Sequence, residues 1–136
     1  MPERNIILEA RDVSKWYGDA GSQQVVVLNR MNLAIREGQM TALLGASGSG
    51  KTTLLRILAG LSPASDGQVL YHGEPLSGVN PGVSIVFQSF ALFPWLSVVE
   101  NVEIGLLATG MDRRKAREKA VEVIDMIGLD GFEDAR

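Results

Sequence analysis

The segment Gly45-Ala46-Ser47-Gly48-Ser49-Gly50-Lys51-Thr52-Thr53 constrains this chain more than any other stretch. Gly45, Gly50, Lys51 and Thr52 match the spacing G-x-x-x-x-G-K-[ST]. Such a loop lets successive backbone N–H groups turn inward and form a nest for phosphate oxygens. A helix beginning near Gly50 adds its positive end and its free amide donors. Lys51 is placed to put a full charge on the β- and γ-phosphates, and the Thr52 hydroxyl is the expected ligand for Mg²⁺. The surroundings agree with this reading. Residues 40–44, from Met40 to Leu44, form a nearly continuous apolar run, which predicts a strand buried on both faces, as in a parallel sheet. After the loop, Leu54, Ile57, Leu58 and Leu61 share one helical face, and Gly60 is placed to end the helix. The competing readings are a plain Gly/Ser connector and a dinucleotide fingerprint. The fingerprint fits poorly, because Thr53 stands where its third glycine belongs.

Composition narrows the class. The chain has 136 residues, 46% hydrophobic and 21% charged, which suits one globular domain and excludes a disordered chain. It has no cysteine, which excludes a disulfide scaffold. The net charge of −3 leaves no global basic field to hold nucleic acid or anionic lipid. The first residues, Met-Pro-Glu-Arg-Asn, do not resemble a secretory leader. The longest apolar run, residues 90–96, is broken by Pro94 and is far shorter than the roughly 20 residues of a spanning helix. The expectation is a soluble, cytoplasmic protein unless a partner brings it to a membrane.

Along the chain, residues 6–8 and 25–28 read as short strands, and Met31, Leu33 and Ile35 alternate with polar or small neighbours as in a half-buried strand. Gly18-Asp19-Ala20-Gly21-Ser22 reads as a connection. Residues 68–71 and 83–87 are further expected strands, the second ending at Gln88. Ser97-Val98-Val99-Glu100 matches a capping box, so a helix should start there with Val98, Val102 and Leu106 on one face. Asp112 can cap a second helix whose inner stripe is Ala116, Ala120, Ile124 and Ile127 and whose end is Gly128. The order is a β-rich start, an α/β middle and a helical end.

Three segments in this order, Ser14-Lys15-Trp16-Tyr17-Gly18, the loop from Gly45 to Thr53, and Phe87-Gln88 followed by Leu92-Phe93-Pro94, resemble the ATP-binding subunit of an ABC transporter. The resemblance runs from about residue 6 to the end of the chain. It implies an α/β fold: a P-loop NTPase core of parallel sheet and helices, an N-terminal antiparallel β subdomain, and the start of a helical subdomain. Residues 1–89 would hold the β subdomain and core, and residues 90–136 the beginning of the helical part. It further implies that Tyr17 stacks on adenine and that Gln88 is the Q-loop glutamine, which reaches Mg²⁺, orients the attacking water and moves with the partner. ATP and Mg²⁺ are the implied cofactors. The implied partners are a membrane-spanning permease subunit meeting the 88–96 segment, a second ATP-binding subunit across ATP, and a periplasmic or extracellular solute-binding protein. The place implied is the inner face of the cell membrane. Phe90, Leu92, Phe93, Pro94, Trp95 and Leu96 form an apolar cluster, expected to be shared between the permease and the helix starting at Ser97. The Phe-Pro-Trp-Leu wording resembles importers of the nitrate, sulfonate and taurine group.

Phosphoryl transfer to water also needs an acid that holds metal and a group that positions the nucleophile. In the family these are an Asp-Glu pair ending an apolar strand and a later His. No such strand is present, and Val123-Ile124-Asp125 lies inside a helical pattern. The only histidine, His72, reads as an exposed turn residue. The Leu-Ser-Gly-Gly signature is absent. The chain therefore reads as the N-terminal half of a domain, whose isolated strands near Met40 and Val83 would lack neighbours and whose solutions should be prone to aggregate. A nucleotide-binding module without turnover is the alternative for this chain alone. A kinase or GTPase is a third reading, although the guanine-reading Asn/Thr-Lys-x-Asp is missing. Residues 113–119 are basic but read as a solvated helix face rather than a nucleic-acid surface.

Overall fold

A computed structural model of the chain describes residues 5–18, 23–89 and 91–136. The expected connection at 19–22 and the apolar residue Phe90 lie outside the described residues. The chain divides into two compact units, Met1–Ile85 and Val86–Arg136.

The first unit is built on β1 (Ile6–Tyr17), β2 (Val25–Arg36), α1 (Lys51–Leu58), β3 (Asp66–Tyr71) and β4 (Glu74–Pro75). The four strands form one antiparallel sheet in the order β2-β1-β3-β4. α1 lies on it, and Leu8, Ala10, Val13, Leu28, Val69, Leu54, Ile57 and Leu58 make the core. Leu54, Ile57 and Leu58 are buried as the helical spacing predicts, whereas Leu61, beyond the helix end at Gly60, is exposed. Gly60 has φ 71, the left-handed conformation of a helix stop. The buried side chain of Asn80 reaches the Leu58 carbonyl, and its N–H donates to the Ala59 carbonyl at 3.0 Å, so two end-of-helix acceptors are satisfied. The β3–β4 turn is His72-Gly73, with φ 48 and 84, the backbone of a two-residue type I′ hairpin. His72 is an exposed turn residue, as expected.

β1 and β2 are each longer than the short runs expected, and their ladder shifts register four times, twice around a central pair of opposed bulges. The register passes from Ala10↔Leu33 to Val13↔Met31 and then to Lys15↔Leu28. An extra residue on β1 is thus followed at once by an extra residue on β2. Each bulge carries a non-glycine residue at positive φ, Asp12 at 49 and Arg30 at 47. Leu8 and Ala10 alternate inward, and strict alternation would next bury Asp12; the bulge turns Asp12 out and Val13 in. On β2 the same device keeps Arg30 outside while Leu28, Leu33 and Ile35 face the core. Asn32 ties the two: its Oδ1 accepts the Asp12 N–H at 3.0 Å, and its Nδ2 donates to Asp12 Oδ1 and to the Arg30 carbonyl.

The expected parallel strands are not formed. Residues 40–44 and 83–87 are irregular, with Met40 97%, Leu44 94% and Val86 98% exposed. A strand needs a neighbour for its amides and carbonyls, and among the described residues every ladder belongs to the antiparallel sheet.

The second unit is a pair of helices, α2 (Val98–Ala108) and α3 (Arg113–Met126). The predicted capping box is present. Ser97 Oγ accepts the Glu100 N–H, and the Glu100 carboxylate accepts the Ser97 N–H at 2.7 Å. Asp112 caps α3 through the N–H groups of Arg114 and Lys115. Val99, Ala120 and Ile124 are the core, with Val98, Val102 and Leu106 packed against it. Ile127 is not part of the inner stripe: α3 ends at Met126, and Ile127 is 63% exposed.

Candidate nucleotide site

The apolar stripe of α1 seats the helix on the sheet, and that seating presents its N-terminus and the 45–50 loop. Gly50 is the N-cap, at φ 89. A side chain there would be strained by its backbone and would meet the Val27 carbonyl and Leu28 Cδ2, both at 2.9 Å. Glycine therefore lets the start of α1 sit directly on β2. No side chain caps this helix and its first turn holds no acid. The first intrahelical bond is donated by Leu54 to Gly50, which leaves the N–H groups of Lys51, Thr52 and Thr53 as donors for an anion.

Lys51 folds back over the loop. Its Nζ donates to the Gly45 carbonyl at 2.8 Å, the Ala46 carbonyl at 2.7 Å and Ser49 Oγ at 3.3 Å. The Ser49 N–H closes on the Ala46 carbonyl at 3.2 Å. Residues 45–49 are exposed, so the positive charge sits at a surface where a triphosphate can reach it. A recess of about 380 Å³, lined among others by Val27, Leu43, Gly45, Gly50, Lys51 and Leu54, adjoins the loop. Thr52 is exposed and Thr53 half-buried at the helix start.

Tyr17 ends β1 with half of its surface open, at 51% exposure. It pairs with Val25, two residues along β2 from Val27. Lys15, which the segment Ser14 to Gly18 contains but to which the sequence assigns no role, stands two residues before Tyr17 on the same strand face. Its Nζ is 5.2 Å from the Tyr17 ring centre and donates to the Pro63 carbonyl at 2.8 Å. Alternation on β1 was the signal that could have paired them.

Gln88 belongs to the second unit, where it is exposed at a bend. In that unit Leu92, Phe93, Pro94 and Trp95 are exposed and Leu96 is half-buried. The Phe93 and Trp95 rings lie 5.4 Å apart. Asn101, one turn into α2, holds this segment. Its Oδ1 accepts the Phe93 N–H at 2.8 Å, and its Nδ2 donates to the carbonyls of Phe93, Leu96 and Ser97. The segment borders an apolar groove of about 680 Å³ whose walls include Leu92, Phe93, Leu96, Val102, Ile124 and Ile127. Asp125 lies within α3, so the nearest sequence substitute for the Asp-Glu pair does not end a strand. Among the described residues no group of three His, Cys, Asp or Glu side chains could hold a metal.

A family model described as ABC transporter matches residues 28–136. The chain belongs to the ABC transporter family. The Fe(3+) ions import ATP-binding protein FbpC of Escherichia coli K12 is 42% identical over 137 residues, covering 98% of this chain and 38% of that protein. The spermidine/putrescine import ATP-binding protein PotA of Methylococcus capsulatus is 44% identical over 132 residues, covering 95% of this chain and 33% of that protein. The chain thus spans less than two fifths of the length of these relatives. Among solved structures, the dimeric post-hydrolysis ATP-binding cassette MJ0796 bound to ADP and Pi aligns with TM-score 0.80 and 29% identity, covering 94% of this chain and 60% of that one. The fold, an antiparallel sheet with helices carrying the phosphate loop, is that of an ABC cassette ATPase. No helix among the described residues is long and apolar enough to cross a membrane.

Proposed function

We propose that this chain binds Mg-ATP through Gly45, Ala46, Ser47, Gly48, Ser49, Gly50, Lys51, Thr52 and Thr53, as the ATP-binding part of an ABC importer. One observation carries the reading: an uncapped helix N-terminus rooted on β2 by Gly50, with the Lys51 ammonium at the centre of the exposed loop beside it. An arriving phosphate would replace two neutral carbonyl acceptors of Lys51 by charged oxygens and would meet the free amides of α1. Thr52 offers a hard oxygen at the helix start, which suits Mg²⁺, an ion that takes most of its ligands from water and phosphate. When bound, the ion would neutralise charge on the phosphates. Tyr17 would stack on the base, as aromatic faces do without demanding a particular base edge.

Lys51 and Gln88 are the proposed catalytic residues of the whole transporter subunit, in which hydrolysis is coupled to transport. For this chain the reading is binding without turnover, because it holds neither an Asp-Glu strand end nor the Leu-Ser-Gly-Gly signature. Residues 1–89 serve as the β subdomain and core, and 90–136 as the start of a helical subdomain. The proposed partners are a permease at the 88–96 segment, where the exposed Leu92, Phe93 and Trp95 offer an apolar surface; a second ATP-binding subunit across ATP; and a solute-binding protein outside the cell membrane. The place is cytoplasmic, on the membrane's inner face. For the solute, Phe93-Pro94-Trp95-Leu96 supports nitrate, sulfonate or taurine, while the relatives above are named for iron and polyamine import.

The test is equilibrium binding of ATP with and without Mg²⁺. Lys51→Ala should weaken ATP at least about tenfold, in keeping with the loss of a charge-assisted contact. Thr52→Ala should remove most of the benefit of Mg²⁺. Unchanged ATP affinity in Lys51→Ala would sink the proposal.

A further inference from the structure

We propose that Lys15 is a positioning residue for the nucleotide base: it holds the Tyr17 ring in place and ties that ring's mount to the loop that follows the phosphate-loop helix. The inference rests on the ATP-binding reading and adds to it a residue outside the phosphate loop.

Lys15 and Tyr17 are two apart on β1 and so project from the same face of the strand. The Lys15 ammonium lies 5.2 Å from the centre of the Tyr17 ring, inside the range at which a cation is drawn to an aromatic face. It is also anchored, donating to the Pro63 carbonyl at 2.8 Å. A lysine held at both ends loses the freedom that makes most surface lysines poor positioning groups. The same stretch of β1 is fastened to this loop at further points. The Ser65 N–H donates to the Ser14 carbonyl at 2.8 Å, the Trp16 N–H donates to Ser65 Oγ at 3.2 Å, and Ser65 Oγ lies 3.4 Å from the Trp16 carbonyl. Pro63 and Ser65 stand just beyond α1, whose other end carries Lys51 and Thr52. The base-stacking arm and the phosphate loop are thereby mounted on one short helix. Tyr17 nevertheless keeps half of its surface open, so Lys15 constrains the ring without covering it. An ammonium against the ring also draws on its π electrons, which favours stacking of an electron-rich purine.

The readout must separate base from phosphates. ATP and inorganic tripolyphosphate are titrated, each with Mg²⁺, against the full chain and its variants. Lys15→Met keeps the length of the stem and removes the charge. It should weaken ATP by about two- to fivefold, the range of a single cation–π contact, and leave tripolyphosphate unchanged. Lys15→Arg should restore ATP affinity. In a Tyr17→Ala background, Lys15→Met should have no further effect. If Lys15→Met binds ATP like the parent chain, or if tripolyphosphate weakens along with ATP, the inference is overturned; the second result would make Lys15 a phosphate contact or a purely structural group. Lys51→Ala separates the two levels. If it lowers both ligands while Lys15→Met lowers neither, only the inference about Lys15 fails. If it lowers neither, the ATP-binding reading falls and this inference with it.

Discussion

Gly50 shows how little freedom a single residue in this site has. Its left-handed backbone and the 2.9 Å approach of the Val27 carbonyl each exclude a side chain. Gly50→Ala should cost at least about 2 kcal/mol, from the left-handed penalty plus displaced backbone. Urea midpoints would read this, and ATP affinity should fall with them as the helix start is pushed off β2. Asn32 makes a different kind of demand. It is exposed, yet its amide closes both bulges, and Asn32→Ala should cost about 1–2 kcal/mol for the lost bonds. A change in urea midpoint below a few tenths of a kcal/mol would show that the bulges hold without it. The phosphate loop was legible because its chemistry fixes residue types at fixed spacing. The Asp12 and Arg30 bulges were not. A polar residue that breaks a period of two reads as the end of a strand, and only the pairing with the neighbour reveals that the strand continues.

Among the elements, the helices were the most readable, and the apolar residues beside their stops the least. The capping box at Ser97 and the Asp112 cap are side-chain signals written beside the backbone groups they satisfy, so both starts were found. The stops at Gly60 and Gly128 were found as well, both left-handed at φ 71 and 74, but Leu61 and Ile127 were counted onto the buried faces, since an apolar residue at the stop keeps the helical spacing while leaving the helix. The box also sets a pH response. The Ser97 N–H holds the Glu100 carboxylate below its ordinary value of 4.5, with Arg136 and Arg117 adding to the effect. Glu133 is lowered by the N–H of Gly131 and by its own, and Glu9 by the bond from Arg11. A lowered folded value means that the unfolded chain binds the proton more readily. These contributions are therefore complete above about pH 4.5 and are lost as the pH falls further. Glu100→Gln should flatten part of that acid slope in helicity measured by circular dichroism; an unchanged slope would remove the box from the account. Ser97→Ala should cost about 1 kcal/mol at neutral pH.

For the whole molecule, the reading of a β-rich start and a helical end holds, and the parallel core between them is where residues and structure part. Apolar runs at 40–44 and 83–87 have the composition of buried strands, but a strand is a relation between segments, and composition names only one of them. The exposed Met40, Leu44 and Val86 that result predict concentration-dependent self-association, visible as rising light scattering. Lysine at positions 40 and 86 (Met40→Lys with Val86→Lys) should suppress it. A monodisperse parent chain with a cooperative melt would contradict the prediction. Phosphate release measured beside ATP binding should show binding without turnover.

The opposed bulges of β1 and β2 also say how this hairpin can change length. Their offsets cancel, because the sheet resumes its earlier alignment at Lys15↔Leu28. Deleting Asp12 alone, or Arg30 alone, would turn one flank inside out, exchanging core side chains for solvent-facing ones. Deleting both would leave Ala10 opposite Leu33 and Lys15 opposite Leu28. At this pair of bulges, shortening the ribbon is therefore tolerable only as a matched event on the two strands.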